Sequence, residues 1–236
     1  MFVAGATAQT DTLTVRIKGM RCDECAHKVM TAVRQLPGIE SLRSNTERRT
    51  TTIVYDRTKT CADSIEARLA ATGRYKASPY SPSDTIRRGM GLRIDDMHCQ
   101  NCANKIVKRL EQIEGIDSLA PHLDKHYVFI RYDANRVSRE DIREVINKLG
   151  YTPCNYYSSP KVEYGYYLLP AEQANEDTAE SILSLDGVED VNVNPKSRTL
   201  AVTFFNDETT ADKLYAEIMK MGIKAEVPAP HECDEK

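Results

Sequence analysis

The feature that most limits what this chain can fold into is a repeat. Cys22-Asp23-Glu24-Cys25 and Cys99-Gln100-Asn101-Cys102 lie at an offset of 77. The same offset, without a gap, lays Gly38-Ile39-Glu40-Ser41-Leu42 on Gly115-Ile116-Asp117-Ser118-Leu119. It also lays Tyr55-Asp56 on Tyr132-Asp133 and Gly73 on Gly150. A register held from a dithiol to a closing glycine describes one structural unit present twice. A further offset of 72 carries Gly115 to Gly187 and Gly150 to Gly222, which predicts a third copy. There Met97 falls on Leu169, Cys99 on Ala171 and Cys102 on Ala174. The third loop is thus expected at full length, with a methyl group in place of each sulfur.

Each copy reads βαββαβ. Leu13, Val15 and Ile17 alternate with polar residues, as in a strand with one buried face. Ala26, Val29, Met30, Val33 and Leu36 then recur at helical spacing until Pro37-Gly38 stops the helix. Two β-rich stretches follow at 39–45 and 50–56, then a helix over 60–72 closed by Gly73, then a short last strand. The second copy repeats this with Leu92 and Ile94, a helix through Ile106, Val107, Leu110 and Ile113, and a second helix through Ile142, Val145, Ile146 and Leu149. The third does so with Ile182 and Leu183, Val191 and Val193, Val202 and Phe204, and Leu214 and Ile218. The fold class is therefore α+β, in three tandem domains of four antiparallel strands with two helices on one face. The expected boundaries are a tail or signal-peptide remnant at 1–10, domains at 11–79, 90–157 and 162–228, linkers at 80–89 and 158–161, and a tail at 229–236. Each domain can close its own core, so the three are expected as beads.

Composition narrows the function. A formal net charge of −3 gives no basic footprint for nucleic acid. No apolar run reaches the length of a membrane-spanning helix. There is no P-loop, nucleophile elbow or recognisable pair of catalytic carboxylates, so a non-enzymatic role is expected. Ala6-Thr7-Ala8 before Gln9 resembles a signal-peptidase site without a basic n-region. It reads as a signal-peptide stub or as a plain tail. An exported, periplasmic location is slightly favoured over the cytoplasm.

Seven cysteines, an odd number with four in Cys-x-x-Cys pairs, point to metal or redox chemistry rather than a disulfide framework. In a βαββαβ unit the first cysteine of the pair sits in the loop after strand one and the second in the first helical turn. Free N–H groups and the positive end of the helix dipole both stabilise a thiolate there. Two thiolates without hard oxygen ligands suit Cu(I), and Hg(II) by the same logic. Zn(II) usually takes four ligands, and a lone Cys-x-x-Cys supplies two.

GMRCDEC and DMHCQNC, each inside a βαββαβ repeat, resemble the heavy-metal-associated domain. That family has a ferredoxin-like fold and includes copper chaperones, N-terminal domains of copper-transporting P-type ATPases and periplasmic mercury-binding proteins. The resemblance implies one metal ion on Cys22 and Cys25 and another on Cys99 and Cys102, Cu(I) before Hg(II) or Zn(II). It implies that Met20 and Met97 pack beneath the loops as core rather than as ligands. It places Tyr151 beside the second metal, where the first copy has Arg74 and then Tyr75. It also implies a carrier or chaperone that passes metal by thiolate exchange, with a metal-transporting membrane ATPase or efflux component as recipient. Arg21 and His98 precede the first cysteines, where many relatives have Thr. Asp23 and Glu24 make the first loop acidic, while Gln100 and Asn101 are neutral, so the two sites should differ.

The remaining candidates are weaker. Cys61 opens the second helix, at the end opposite the dithiol. Cys154 follows Tyr151 on the last strand, where a buried thiol is favoured over a third ligand. His98 is expected to face solvent, and His231 and Cys233 lie in the tail. Two other functions compete: a thiol–disulfide redox protein, against which stands the absence of any Trp before the Cys pairs, and a metal-tuned docking module, which the site-free third copy keeps open.

Overall fold

The computed structural model describes residues 9–229; the expected signal remnant through Ala8 and the tail bearing His231 and Cys233 lie outside the described residues. The chain divides into two compact units at Ile86/Arg87.

The first unit contains β1 (Thr10–Lys18), α1 (Asp23–Arg34), β2 (Ile39–Asn45), β3 (Thr50–Asp56), α2 (Ala62–Ala70) and β4 (Lys76–Pro79). Its sheet has the order β2-β3-β1-β4, with the β1 pairings and the β2–β3 pairing antiparallel. The alternation of β1 turns Val15 and Ile17 inward, and α1 presents Ala26, Val29 and Val33 on one stripe. Ile53, Ile65 and Leu69 complete a dry core. Each such aliphatic side chain contributes about 1.5–3 kcal/mol by leaving water.

The second unit holds the other two repeats. The second repeat consists of β5 (Arg87–Ile94), α3 (Gln100–Leu110), β6 (Ile116–His122), β7 (Tyr127–Asp133), α4 (Arg139–Lys148) and β8 (Pro153–Tyr156), in the sheet order β6-β7-β5-β8. Its first strand starts at Arg87, three residues before the expected boundary. The third repeat consists of β9 (Val162–Leu168), α5 (Glu176–Leu183), β10 (Val188–Asn194), β11 (Thr199–Phe205) and α6 (Ala211–Lys220). Its sheet has three strands, ordered β10-β11-β9. A single bridge between Leu168 and Glu226 stands where a fourth strand was expected. Pro228, two residues on, has no N–H to extend that ladder.

Small irregularities recur in all three repeats. A β-bulge follows Ile39, Ile116 and Val188. Gly38, Gly115 and Gly187 precede these bulges in the left-handed region, and a Cβ there would come within 2.8, 2.7 and 2.9 Å of Lys59, Arg136 and Glu208. This explains why glycine marks the repeat. Arg49, His126 and Arg198 are the described non-glycine residues with positive φ, again at offsets of 77 and 72. Their carbonyls accept from the N–H of Ile17, Ile94 and Leu169.

That last set corrects the alignment of the third repeat. Leu169 takes the place of Ile94, an offset of 75, rather than that of Met97. The N-cap of α3 is Cys99 and that of α5 is Asn175, an offset of 76. The helix then loses a turn, eight residues against eleven, and the offset returns to 72. Ala171 therefore does not occupy the place of Cys99. Asn175 does, and its side chain accepts from the Thr178 N–H at 3.0 Å.

The bead expectation is also corrected. The second and third repeats share a built interface. Asp190, Asn192 and Asn194 alternate along β10, and all three bond to the second repeat. Arg143 of α4 is buried against Asp190 at 2.8 and 3.0 Å. On β11, Leu200, Val202 and Phe204 belong to the third core, while Thr199, Ala201 and Thr203 between them are also buried. Thr199 and Thr203 bond to Thr152 and to the Asn155 carbonyl.

Candidate metal centres

β1 and β4 are antiparallel neighbours, with Ile17 opposite Ala77 and Lys18 opposite Lys76. The loop that leaves β1 and the loop that enters β4 therefore meet at one end of the sheet. Gly19 allows the close approach: a Cβ there would lie 2.7 Å from the Arg74 carbonyl oxygen. Met20 is fully buried beneath the loop. Cys22 is the N-cap of α1 and is exposed; Cys25, one turn on, is buried at 4% exposure. Their sulfurs lie 3.0 Å apart. The Cys25 thiol is held down to about 7 by its hydrogen bond with Cys22 and by backbone N–H groups at the helix start, against a smaller opposing effect of burial.

Two neighbours complete this site. The Arg74 guanidinium reaches Cys25 Sγ at 3.7 Å. The Tyr75 hydroxyl is buried with no partner in hydrogen-bond geometry, and its pKa is raised by burial first and by the neighbouring Cys25 second. A buried, unengaged donor beside a sulfur is a ready partner for a thiolate that carries charge. Glu24 is paired to Lys28 one turn along α1, so the acidic loop is locally compensated.

The second dithiol repeats the frame with different side groups. Ile94 opposite Pro153 brings the loop after β5 beside residues 150–152. Met97 is fully buried. Cys99 is the N-cap of α3, and its sulfur accepts from the Cys102 N–H at 3.3 Å. The sulfurs lie 2.9 Å apart, and both residues are half-buried. Burial pushes the Cys102 thiol up, but hydrogen bonds from Cys99, from the Tyr151 phenol and from backbone N–H groups outweigh it and leave its pKa lowered. Lys105 Nζ lies 5.6 Å from the centroid of the Tyr151 ring. Asp96 stands where the first repeat has Gly19, and its carboxylate accepts from the Thr152 N–H at 3.4 Å and the Tyr166 hydroxyl at 3.3 Å.

The structure thus brings Cys22 to Cys25 and Cys99 to Cys102, and seats Met20, Met97 and Tyr151 around them. Among the described residues, no group of three or more His, Cys, Asp and Glu could hold a metal ion. The donor set at each centre is two sulfurs, which fits a soft ion of low coordination number. Cys61 caps α2 and pairs with Ser64 Oγ at 3.2 Å. Cys154 is sealed beside Thr203 and pushed up to about 12 by burial. His98 stacks edge-on against His126 at 5.8 Å. Sequence reasoning left Tyr75 outside its site list; the signal was there, since Tyr75 directly follows the position that matches Tyr151. In the third repeat the corresponding loop is a short 3-10 turn, Ala171–Gln173. Gln173 ties it to the final segment, donating to the Gly222 carbonyl at 2.8 Å and accepting from the Lys224 N–H at 2.7 Å.

Over 139 residues the chain is 27% identical to a copper-exporting P-type ATPase of Bacillus subtilis, covering 59% of this chain and 16% of the ATPase. Over 156 residues it is 26% identical to human copper-transporting ATPase 2, covering 62% of this chain and 11% of that protein. The chain thus spans less than a fifth of the length of either. Among solved structures, the N-terminal soluble domains of Bacillus subtilis CopA match at 24% identity, covering 65% of this chain and 99% of that one, with a TM-score of 0.29. No described helix is long and apolar enough to cross a membrane. The heavy-metal-associated domain profile matches residues 14–74 and 92–152, which together make up just over half of the chain and contain both dithiols. The chain belongs to the heavy-metal-associated domain family.

Proposed function

We propose that this protein is a Cu(I) carrier with two separate two-thiolate sites, Cys22/Cys25 and Cys99/Cys102, and a third repeat that binds no soft metal. The observation that carries this reading is the pair of dithiols, each astride a helix N-terminus and, among the described residues, in no cluster of three or more His, Cys, Asp and Glu. Thiolate–metal bonds are about 2.3 Å long, so an ion lying between two sulfurs needs them up to about 4.6 Å apart. The first cysteine of each pair is a loop residue and can open by that amount.

Low coordination leaves room for a third thiolate. An incoming cysteine from an acceptor bonds to the ion, a three-coordinate intermediate forms, and the donor sulfur leaves. The charge on the sulfurs is balanced at the first site by Arg74 and Tyr75 and at the second by Tyr151. The copper-transporting relatives support a membrane ATPase or efflux component as the acceptor. The third repeat, with Asn175 and Thr178 at its helix start, is a family member that has exchanged its thiolates for a conventional helix cap.

The test is transfer from the Cu(I)-loaded chain to a small dithiol acceptor under anaerobic conditions. Associative exchange predicts a rate that rises in proportion to acceptor concentration. A rate independent of the acceptor would mean that the ion must first dissociate, and the carrier reading would fail.

A further inference from the structure

The third repeat has no dithiol, yet its polar side chains converge on one short segment of the second repeat. Asn194 donates to the carbonyls of Asn147 at 3.0 Å and Tyr151 at 2.9 Å. Asn192 donates to the Pro153 carbonyl at 2.7 Å and exchanges amide bonds with Asn147 at 3.0 and 3.2 Å. Lys196 Nζ reaches the Lys148 carbonyl at 2.8 Å. Thr199 bonds to the Thr152 hydroxyl. The last carbonyls of a helix have no partner within it; here Lys196 takes that of Lys148, while Asn194 adds a second bond to the Asn147 carbonyl, which also accepts from the Gly150 N–H at 2.9 Å. The same side chains fix the turn that runs from α4 into β8.

That turn carries Tyr151, whose phenol is a neighbour of Cys102 and whose ring lies 5.6 Å from Lys105 Nζ on the same helix. The first repeat has no such grip. Its matching turn is held from within, by the Thr72 hydroxyl, which donates to the Leu69 carbonyl at 2.6 Å and accepts from the Tyr75 N–H at 3.1 Å. The two dithiols therefore differ in what holds the loop beside them.

We propose that the third repeat is a positioning module for the second dithiol: Asn194, with Asn192 and Thr199, holds the Asn147–Pro153 segment and so keeps the Tyr151 phenol beside Cys102. Asn194 is a positioning residue and touches neither sulfur. Where this concerns metal release it rests on the carrier reading above; where it concerns the thiols it does not. A phenol held beside Cys102 restricts attack on that sulfur, so loosening the turn speeds exchange at the second site. β10 is half-buried along its length and sealed at Asn194, and its bonded contacts match a fixed interface better than a transient one.

The experiment uses the full, reduced chain and Asn194→Leu, which keeps the side chain's size and removes both donors. Iodoacetamide labelling is followed cysteine by cysteine by peptide mass spectrometry, first without metal. Cys102 is expected to react several-fold faster in the variant, with Cys22 and Cys25 unchanged as internal controls. Cu(I) release to a chromophoric chelator is then measured in a Cys22→Ala/Cys25→Ala background and is expected to accelerate in step. Tyr151→Phe removes the phenol with the clamp intact and should give the same acceleration, and the double variant should add nothing. A lowered melting temperature in Asn194→Leu with unchanged Cys102 labelling would reduce Asn194 to a structural role and overturn the proposal. Additive effects of Asn194→Leu and Tyr151→Phe would overturn it too. Faster labelling in a chain that takes up no Cu(I) would uphold the clamp and remove the carrier reading.

Discussion

The two dithiols have the same backbone and different company. Each places its first cysteine at a helix N-cap and its second in the first turn, over a buried methionine. At the first site a guanidinium approaches Cys25, a buried phenol on Tyr75 stands beside it, and Cys22 is exposed while Cys25 is buried. At the second site the neighbouring phenol is Tyr151, both cysteines are half-buried, and the flanking turn is gripped by another repeat. The comparison teaches that one motif sets the ligands at both sites while residues some fifty positions downstream, Arg74 with Tyr75 and Tyr151, set what surrounds them.

This contrast can be broken from its frame inward. The largest effect is expected from Arg143→Leu, which leaves Asp190 buried without its partner. Losing one member of a buried ion pair destabilises by about 3–5 kcal/mol. Denaturant unfolding should show the loss in the 87–229 unit alone, and a variant that unfolds both units together would contradict the division between them.

Asp96 comes next. Burial raises its carboxyl from 3.8 to about 6. The folded protein therefore binds this proton more tightly than the unfolded chain does. The stabilising contribution is full below about pH 4 and is lost as pH rises through about 6. Asp96→Asn keeps an acceptor for Thr152 and Tyr166 without the buried charge. It should stabilise the second unit by at most about 3 kcal/mol at neutral pH, at 1.36 kcal/mol per pKa unit, and by little at pH 4. Thermal melts of both proteins across that range check the sign; an advantage that grows on acidification would contradict it.

A smaller and more local contrast comes from the phenols. Tyr151→Phe removes the phenol beside Cys102 and should speed Cu(I) release from the second site by about tenfold, the equivalent of about 1.4 kcal/mol. Tyr75→Phe removes a hydroxyl that is buried without a partner in the metal-free fold. It should leave metal-free stability unchanged or raise it by about 1 kcal/mol, and any effect on release should be confined to the first site. Equal effects of the two substitutions on release would erase the distinction drawn here. The smallest change is expected from Arg74→Ala. Its contact with Cys25 is long and solvent-accessible, so the first site's affinity should shift by less than about fivefold, and less still at high salt.

Much of this was legible in the sequence because the physics behind it is local. The strands at 39–45 and 50–56, the glycine stops and the two Cys-x-x-Cys helix starts follow from alternation, left-handed backbone and capping. The third repeat was misaligned for an equally physical reason. Gly187 and Gly222 pin the offset of 72 downstream, while a lost helical turn in α5 and a shifted β9 cancel before them. A gap-free register passes over both and lands on Ala171 instead of Asn175. The docking of the second and third repeats was not legible at all. Asp190, Asn192 and Asn194 look like the solvated face of an edge strand, and only the carbonyls they meet around Tyr151 reveal that they are an interface. The one trace in the sequence is β11, whose outward residues Thr199, Ala201 and Thr203 are all small, where β7 turns Phe129 and Arg131 to solvent.

The central claim is that each dithiol takes one soft ion by itself. The most direct measurement is anaerobic titration of the reduced chain with Cu(I) against a chromophoric chelator, repeated with Cys22→Ala/Cys25→Ala. Two tight equivalents that fall to one in the variant are the predicted result. A single equivalent in the intact chain, lost altogether in the variant, would mean that both dithiols share one ion and would contradict the account.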